Sequence, residues 1–163
     1  MNLSNIKKIH IVGIGGCASS AIAQYLSLSN ILVTGSERKE RSDLGFLSDA
    51  KVKVFFKHDK NNLYYNEIRP DYVLYSPAVK ALDPNNEELL EAEKNNIPTL
   101  SWENFIGQYL NTIGKIGVTI SGSEGKGTTG GILTHILKGT TFDPIVFLGA
   151  QLKHNDRPNS NIY

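Results

Sequence analysis

The sequence holds a single cysteine, Cys17, which excludes an intrachain disulfide and any cysteine-cluster metal site and fits a reducing compartment. It also lacks an excess of either charge. Seventeen Lys and Arg face sixteen Asp and Glu, a formal net charge of +1, so no whole-chain field exists to attract nucleic acid or an anionic membrane. A small anionic ligand would need a local site. Long apolar runs are absent too: Lys7 and Lys8 near the amino terminus are followed by no stretch long enough for a signal or spanning helix. The expectation is a soluble cytoplasmic protein with neither nucleic acid nor membrane among its partners. No internal repeat or low-complexity tract interrupts the chain.

With 163 residues, 40% of them hydrophobic, the chain can bury one ordinary core and begin a second. Short apolar runs rich in β-branched residues alternate with longer helix-patterned segments, the pattern of βαβ units. The reading predicts strands at residues 8–12, 31–34, 51–55, 72–75 (closed by Pro77) and 99–101. Helices are predicted at 18–28, 86–95 and 102–110. This gives an α/β domain, a Rossmann-like parallel sheet with helices on both faces, spanning residues 1–111. Residues 112–163 read as an incomplete second unit: an apolar strand at 115–121, a glycine-rich turn, a helix to about Lys138 and a strand at 144–148. From Gln151 the chain is polar and Asn-rich, so no further strand and little order are expected there.

Two glycine loops carry the chemistry. In the first, Gly13-Ile14-Gly15-Gly16-Cys17-Ala18 follows a strand and opens a helix as G-x-G-x-x-A. Gly13 permits a tight turn, Gly15 lets the backbone approach a phosphate, and Ala18 lets helix and strand pack closely. The N–H groups at the helix start, including that of Gly16, then face a diphosphate, and Ser19 and Ser20 are candidate hydroxyl donors to it. Glu37, about twenty residues further on at the end of the second strand, is placed to accept hydrogen bonds from sugar hydroxyls. Arg38 and Arg41 beside it read as a solvated face. His10, Trp102, Phe105 and Tyr109 read as packing residues, and Cys17 as a small filler.

The second loop, Gly122-Ser123-Glu124-Gly125-Lys126-Gly127-Thr128-Thr129, again lies between a predicted strand and helix. Its backbone N–H groups suit phosphates and Lys126 suits the terminal ones, although the ordinary Walker spacing is not met. These residues form the start of a P-loop-type ATP-binding domain.

Taken together the two loops resemble those of the ATP-dependent Mur ligases, which build the peptide of peptidoglycan. The family's G-T-x-G-K-T-T-T is similar to residues 122–129, and the alanine-adding branch's G-I-G-G-x-x-x-S-x-I-A to residues 13–23. Its S-G-S-D resembles Thr34-Gly35-Ser36-Glu37, its G-H resembles Lys57-His58, and its S-S-A-I resembles Ser76-Pro77-Ala78-Val79. Its G-I-P-V-L resembles Asn96-Ile97-Pro98-Thr99-Leu100, so the likeness runs over residues 7 to 150. The resemblance implies a ligase that phosphorylates the lactyl carboxylate of UDP-N-acetylmuramate with ATP and Mg²⁺, after which the amine of L-alanine displaces phosphate. It adds Ser36, His58 and Ser76 to the UDP-sugar site, assigns Gly122, Ser123, Gly125, Lys126, Gly127, Thr128 and Thr129 to ATP, and gives Lys126 the transferring phosphoryl charge. Since the rest of the central domain and a carboxy-terminal domain are expected elsewhere, the chain is expected to bind the UDP-sugar without catalysing ligation.

Two departures bear on ATP. Gly127 stands where the family has the threonine that ligates Mg²⁺, leaving Thr128 as the candidate ligand one residue late, turned away by about 100° on a helix. Glu124 adds a negative charge to the phosphate loop. A further expectation is that Gly127, Gly130 and Gly131 fray the helix that follows. Two rival readings remain: a Rossmann module that binds NAD or another nucleotide without ligation, and the family member that recycles intact murein peptides onto UDP-N-acetylmuramate.

Overall fold

The computed structural model describes residues 5–113, 116–142, 144–154 and 157–162. Five parallel strands form one sheet: β1 (Lys8–Val12), β2 (Leu32–Ser36), β3 (Lys53–Phe55), β4 (Tyr72–Tyr75) and β5 (Thr99–Ser101). Their order is β3-β2-β1-β4-β5, so the chain winds outward from β1 in one direction and then in the other. The reversal leaves a crevice beyond the carboxyl ends of β1 and β4, where ligands of such sheets bind. Register aligns those ends, with Val12 opposite both Ser36 and Tyr75.

Every residue of β1 is buried, as a parallel strand covered on both faces requires. Alternation divides it. Ile9 and Ile11 point into the larger core, built with Ile22, Ala23 and Leu26 of α1 (Cys17–Leu28), Leu47 of α2 (Gly45–Asp49) and Phe105 of α5 (Trp102–Ile113). On the other face Val12 packs with Leu63, Val73, Ile97 and Ala92 of α4 (Glu87–Lys94). The remaining positions of that second face are Lys8 and His10, both fully buried. Lys8 Nζ donates to the carbonyls of Leu63, Tyr65 and Ile68 at 2.8, 3.0 and 2.6 Å, fastening the 3-10 segment Lys60–Glu67 under the sheet. Burial pulls its pKa down to about 8.

The sheet follows the sequence reading, with shifts at the edges. β2 runs to Ser36 rather than Thr34, and β3 begins at Lys53 because Lys51 turns the chain at φ 58°. Helix α2, the 3-10 segments Ser42–Leu44 and Lys60–Glu67, and α3 (Pro77–Leu82) are not foreseen by the sequence reading. Pro77 does close β4, but it also opens α3, where its missing N–H costs nothing.

In the second unit the expected strand at 115–121 is corrected. Residues 116–121 carry no strand pairing, and Ile116 and Val118 are exposed, because a strand needs a neighbour for its N–H and C=O groups and none lies beside it among the described residues. Helix α6 (Lys126–Lys138) runs through all three of its glycines without a break, against the expected fraying. Gly130 meets the next strand so closely that a Cβ would lie 2.7 Å from Leu148 Cδ2. That strand, β6 (Phe147–His154), pairs antiparallel with β7 (Arg157–Ile162), where no strand is expected from the polar composition. Main-chain pairing tolerates polar side chains, and a two-stranded ribbon has only edges, on which Pro158 is admissible. Phe147 seats the ribbon edge-on against Tyr25 of α1, ring centroids 5.6 Å apart.

Gly35 marks the tightest point between β1 and β2, since a Cβ there would lie 2.6 Å from the Ile11 carbonyl oxygen and 2.5 Å from Ile14 Cδ1. Gly35→Ala is expected to destabilise the fold by about 1–3 kcal/mol, lowering Tm by several degrees in a thermal melt.

Candidate functional site

A cleft of about 260 Å³ opens at the carboxyl ends of β1, β2 and β4. Its floor is the first glycine loop. Gly13 sits at φ 77°, and a Cβ on it would lie 2.6 Å from Val79 Cγ2, so both conformation and space demand glycine. The N–H groups of Gly13 and Ile14 donate to Ser36 O at 2.9 and 3.0 Å, tying the loop to the end of β2. Gly16 is the N-cap of α1 and makes no side-chain cap bond, which leaves the helix start open to an anion.

The anion now at the loop belongs to the protein. Glu37 Oε2 accepts the Gly15 N–H at 3.0 Å and Oε1 accepts the Arg38 N–H at 2.8 Å. A Cβ on Gly15 would fall 2.4 Å from Glu37 Oε2. Arg41 closes over the same place, donating from Nη1 to Gly15 O at 3.0 Å while its Nη2 pairs with Asp43 at 2.6 Å. Arg38 and Arg41 therefore line the cleft rather than forming only a solvated face. The opposite wall is apolar, with Ala78, Val79 and Leu82 of α3, and Ser76 and Asp83 bracket that helix.

His58 enters from the far side, held from beneath. Its Nδ1 lies 2.8 Å from Ser36 Oγ and 3.2 Å from Glu88 Oε2. Glu88 is wholly buried, and its carboxylate also receives Ser36 Oγ at 2.5 Å and Asn62 Nδ2 at 2.7 Å. Its other oxygen lies 3.3 Å from Nε2 of His10, whose Nδ1 is 2.7 Å from Thr34 Oγ1. Burial alone would push the Glu88 pKa up, but the close approach of His10 Nε2, the hydrogen bond with His58 and the Ser36 hydroxyl overcome it and bring it to about 2. The hydrogen bond to Glu88 correspondingly raises the pKa of His58 against the cost of its burial.

Of the residues expected at a UDP-sugar site, Gly13, Gly16, Glu37, His58 and Ser76 line this one cleft, Gly15 lies under Glu37, and Ser36 supports it from within. Ser19 and Ser20 are not among the residues lining the cleft, and both are buried in the first turn of α1. Ser20 Oγ bonds its own helix at Cys17 O, whereas Ser19 Oγ has no hydrogen-bond partner among the described residues and lies beside Gly16, 3.6 Å from where a Cβ on that glycine would be; Ala18 is half-buried beside them. Glu88 and Asn62 are absent from the sequence reading. The usable signal for Glu88 is its spacing from Ala92, four residues on, which puts a carboxylate on the buried face of α4.

None of the residues of the second loop is among those lining this cleft. Gly125 takes a left-handed φ of 72° and caps α6, whose first residue is Lys126. The lysine folds back, donating from Nζ to Gly122 O and, at 2.9 Å, to Ser123 O. The helix start suits phosphate; Gly127 brings it no hydroxyl, and those of Thr128 and Thr129 are the next along the chain, both residues being exposed. No helix among the described residues is long and apolar enough to cross a membrane.

Residues 8–113 match the model of the Mur ligase family, catalytic domain. Among curated proteins, the UDP-N-acetylmuramate–L-alanine ligase of Aquifex aeolicus (strain VF5) is 35% identical over 148 residues, which is 91% of this chain and 31% of that protein. The enzyme of the same name from Sulfurihydrogenibium sp. (strain YO3AOP1) is 34% identical over 148 residues, with the same shares. The chain thus spans about a third of the length of the relatives it matches. Among solved structures, the UDP-N-acetylmuramate-alanine ligase of Thermotoga maritima superposes with a TM-score of 0.80 at 29% identity, over 95% of this chain and 34% of that one. The UDP-N-acetylmuramate:L-alanyl-gamma-D-glutamyl-meso-diaminopimelate ligase of Neisseria meningitides shares the fold, with a TM-score of 0.74 at 20% identity over 96% of this chain and 50% of that one. Loop, sheet order and sequence agree: the chain belongs to the Mur ligase family.

Proposed function

We propose that this chain is the UDP-sugar-binding part of a ligase that joins L-alanine to UDP-N-acetylmuramate in peptidoglycan synthesis. The observation that carries the reading is the cleft at the sheet's switch point, where an uncapped helix start and a glycine loop stand beside Arg38, Arg41 and His58. These groups offer N–H donors and positive charge to a diphosphate. A diphosphate entering the loop takes the Gly15 N–H from Glu37, and the freed carboxylate then accepts hydrogen bonds from sugar hydroxyls. Ala78, Val79 and Leu82 give the remainder of the ligand an apolar wall. The names of the curated relatives support the choice of substrate and of alanine.

The complete reaction draws its phosphoryl group from ATP, and Lys126 is the residue of this chain suited to the transferring charge. Here it is turned onto the carbonyls of its own loop. Binding of the UDP-sugar without ligation is the activity proposed for the chain by itself.

In calorimetry the chain is expected to bind UDP or UDP-N-acetylmuramate in preference to NAD. Gly15→Val is expected to weaken that binding by roughly a hundredfold or more, about 2.7 kcal/mol, while leaving a folded protein, since its Cβ meets only the movable ends of Glu37 and Arg41. Tighter NAD binding with no heat from the UDP-sugar would promote a nucleotide-binding module without ligation. For the second loop, weak or undetectable Mg-ATP binding is expected. In a chain extended through the rest of the ATP-binding domain, Gly127→Thr with Glu124→His is expected to strengthen it, read by titration with a fluorescent ATP analogue; equal affinity of the unsubstituted extended chain would show that Gly127 is tolerated.

A further inference from the structure

Beneath the cleft, four polar side chains converge on one carboxylate. Glu88 Oε2 accepts from Ser36 Oγ and faces His58 Nδ1, while Oε1 accepts from Asn62 Nδ2 and faces His10 Nε2. The Glu88 backbone N–H is itself taken by the N-cap residue Asn86 at 3.1 Å, so the start of α4 holds the residue in place. Burying a carboxylate costs several kcal/mol unless it is paired, and a well-packed apolar residue would serve stability as well. Of its partners, His58 alone lines the cleft. Two oxygens, from Ser36 and Glu88, hold Nδ1 on the inner side, and Nε2 has no partner among the described residues.

We propose that Glu88 is a positioning residue for ligand binding: it fixes the His58 ring with Nδ1 inward, so that Nε2 faces the cleft as a cationic donor to a phosphate oxygen of a nucleoside diphosphate. The inference rests on the UDP-sugar reading for its ligand, and on the side-chain geometry for the coupling of the two residues. Nδ1–H donates to Ser36 Oγ and Glu88, so a neutral ring leaves Nε2 with a lone pair that repels phosphate. Only the protonated ring donates on both sides. The acidic groups around His58 favour that form: Glu88 on α4, Glu37 after β2 and Asp83 after α3 raise its pKa, and Asp59 lies on its own segment, whereas the cations Lys57 on that segment and Arg38 and Arg41 across the cleft oppose it. Since the pKa of His58 is raised, affinity is highest below its titration and falls as pH rises through it.

The test uses the whole chain, its Glu88→Gln and His58→Gln variants and the double variant, with UDP as probe. Imidazole NMR over pH 5–9 reads the ring, and calorimetry across the same range reads affinity. In the unsubstituted chain His58 is expected to titrate above the ordinary imidazole value of 6.5, with Nδ1 carrying the proton in the neutral ring. Glu88→Gln is expected to lower that titration, weaken UDP about tenfold near neutral pH and move the fall in affinity to lower pH. Added to His58→Gln, it is expected to cost nothing further. A folded Glu88→Gln protein with an unchanged His58 titration, or with unchanged UDP affinity at every pH, overturns the proposal. If Glu88→Gln fails to fold, the unsubstituted chain decides: a His58 titration at or below 6.5, or a neutral ring protonated on Nε2, overturns it equally. Absence of UDP binding with the histidine titration moving as expected overturns the UDP-sugar reading and supports the Glu88–His58 coupling.

Discussion

Two ionisable side chains, Lys8 and His10, lie on one face of a strand that is buried along its whole length, and a buried polar group must find partners or the fold loses several kcal/mol. Lys8 finds two carbonyls in the segment Lys60–Glu67 and a third at Ile68 just after it, so the segment cannot drift from the sheet without stripping them. His10 finds Thr34 on the neighbouring strand and Glu88 at the start of α4. An apolar β1 would leave the layer under the sheet with only greasy contacts to orient it. With Lys8 and His10 present, the segment that follows His58 and the helix that carries Glu88 are brought to defined places below the same strand whose end supplies the glycine loop. The position of the cleft's histidine is thus a consequence of what β1 buries.

The two glycine loops share a plan and differ in setting. In the first, the strand before the loop is paired on both sides, and the loop's carbonyls and N–H groups are tied to Ser36 and to α1. In the second, residues 116–121 before the loop have no strand beside them among the described residues, and Lys126 satisfies the loop's own carbonyls. A preorganised anion site needs donors held against solvent by a packed frame. Among the described residues the first loop has that frame and the second does not.

Much of this was legible in the sequence because it depends on local pattern. The β-branched runs gave β1, β4 and β5 nearly to the residue, and G-x-G-x-x-A between a strand and a helix gave the loop, since the φ of 77° at residue 13 favours glycine and a side chain at residue 15 would displace Glu37 and Arg41. Position on a helix was harder to read. Ser19 and Ser20 follow the loop directly, yet the turn of α1 carries them inward, a rotation that sequence proximity hides. Glu88 lies in a Glu-rich helix whose sequence does not single it out, and its burial is decided by His10 and His58, which are 78 and 30 residues away. The strand read at 144–148 lies at Phe147–His154 instead, and its partner β7 was missed because main-chain pairing, not side-chain pattern, holds the ribbon.

The most direct test of where this protein binds its ligand is amide chemical-shift mapping of the chain on titration with UDP-N-acetylmuramate. The account predicts that the N–H signals of Gly13, Gly15 and Gly16 move together with those of Ser76 and His58, while Gly122 to Thr129 stay unchanged. Movement confined to Gly125–Thr129, or an unperturbed Gly15 at saturation, would contradict it.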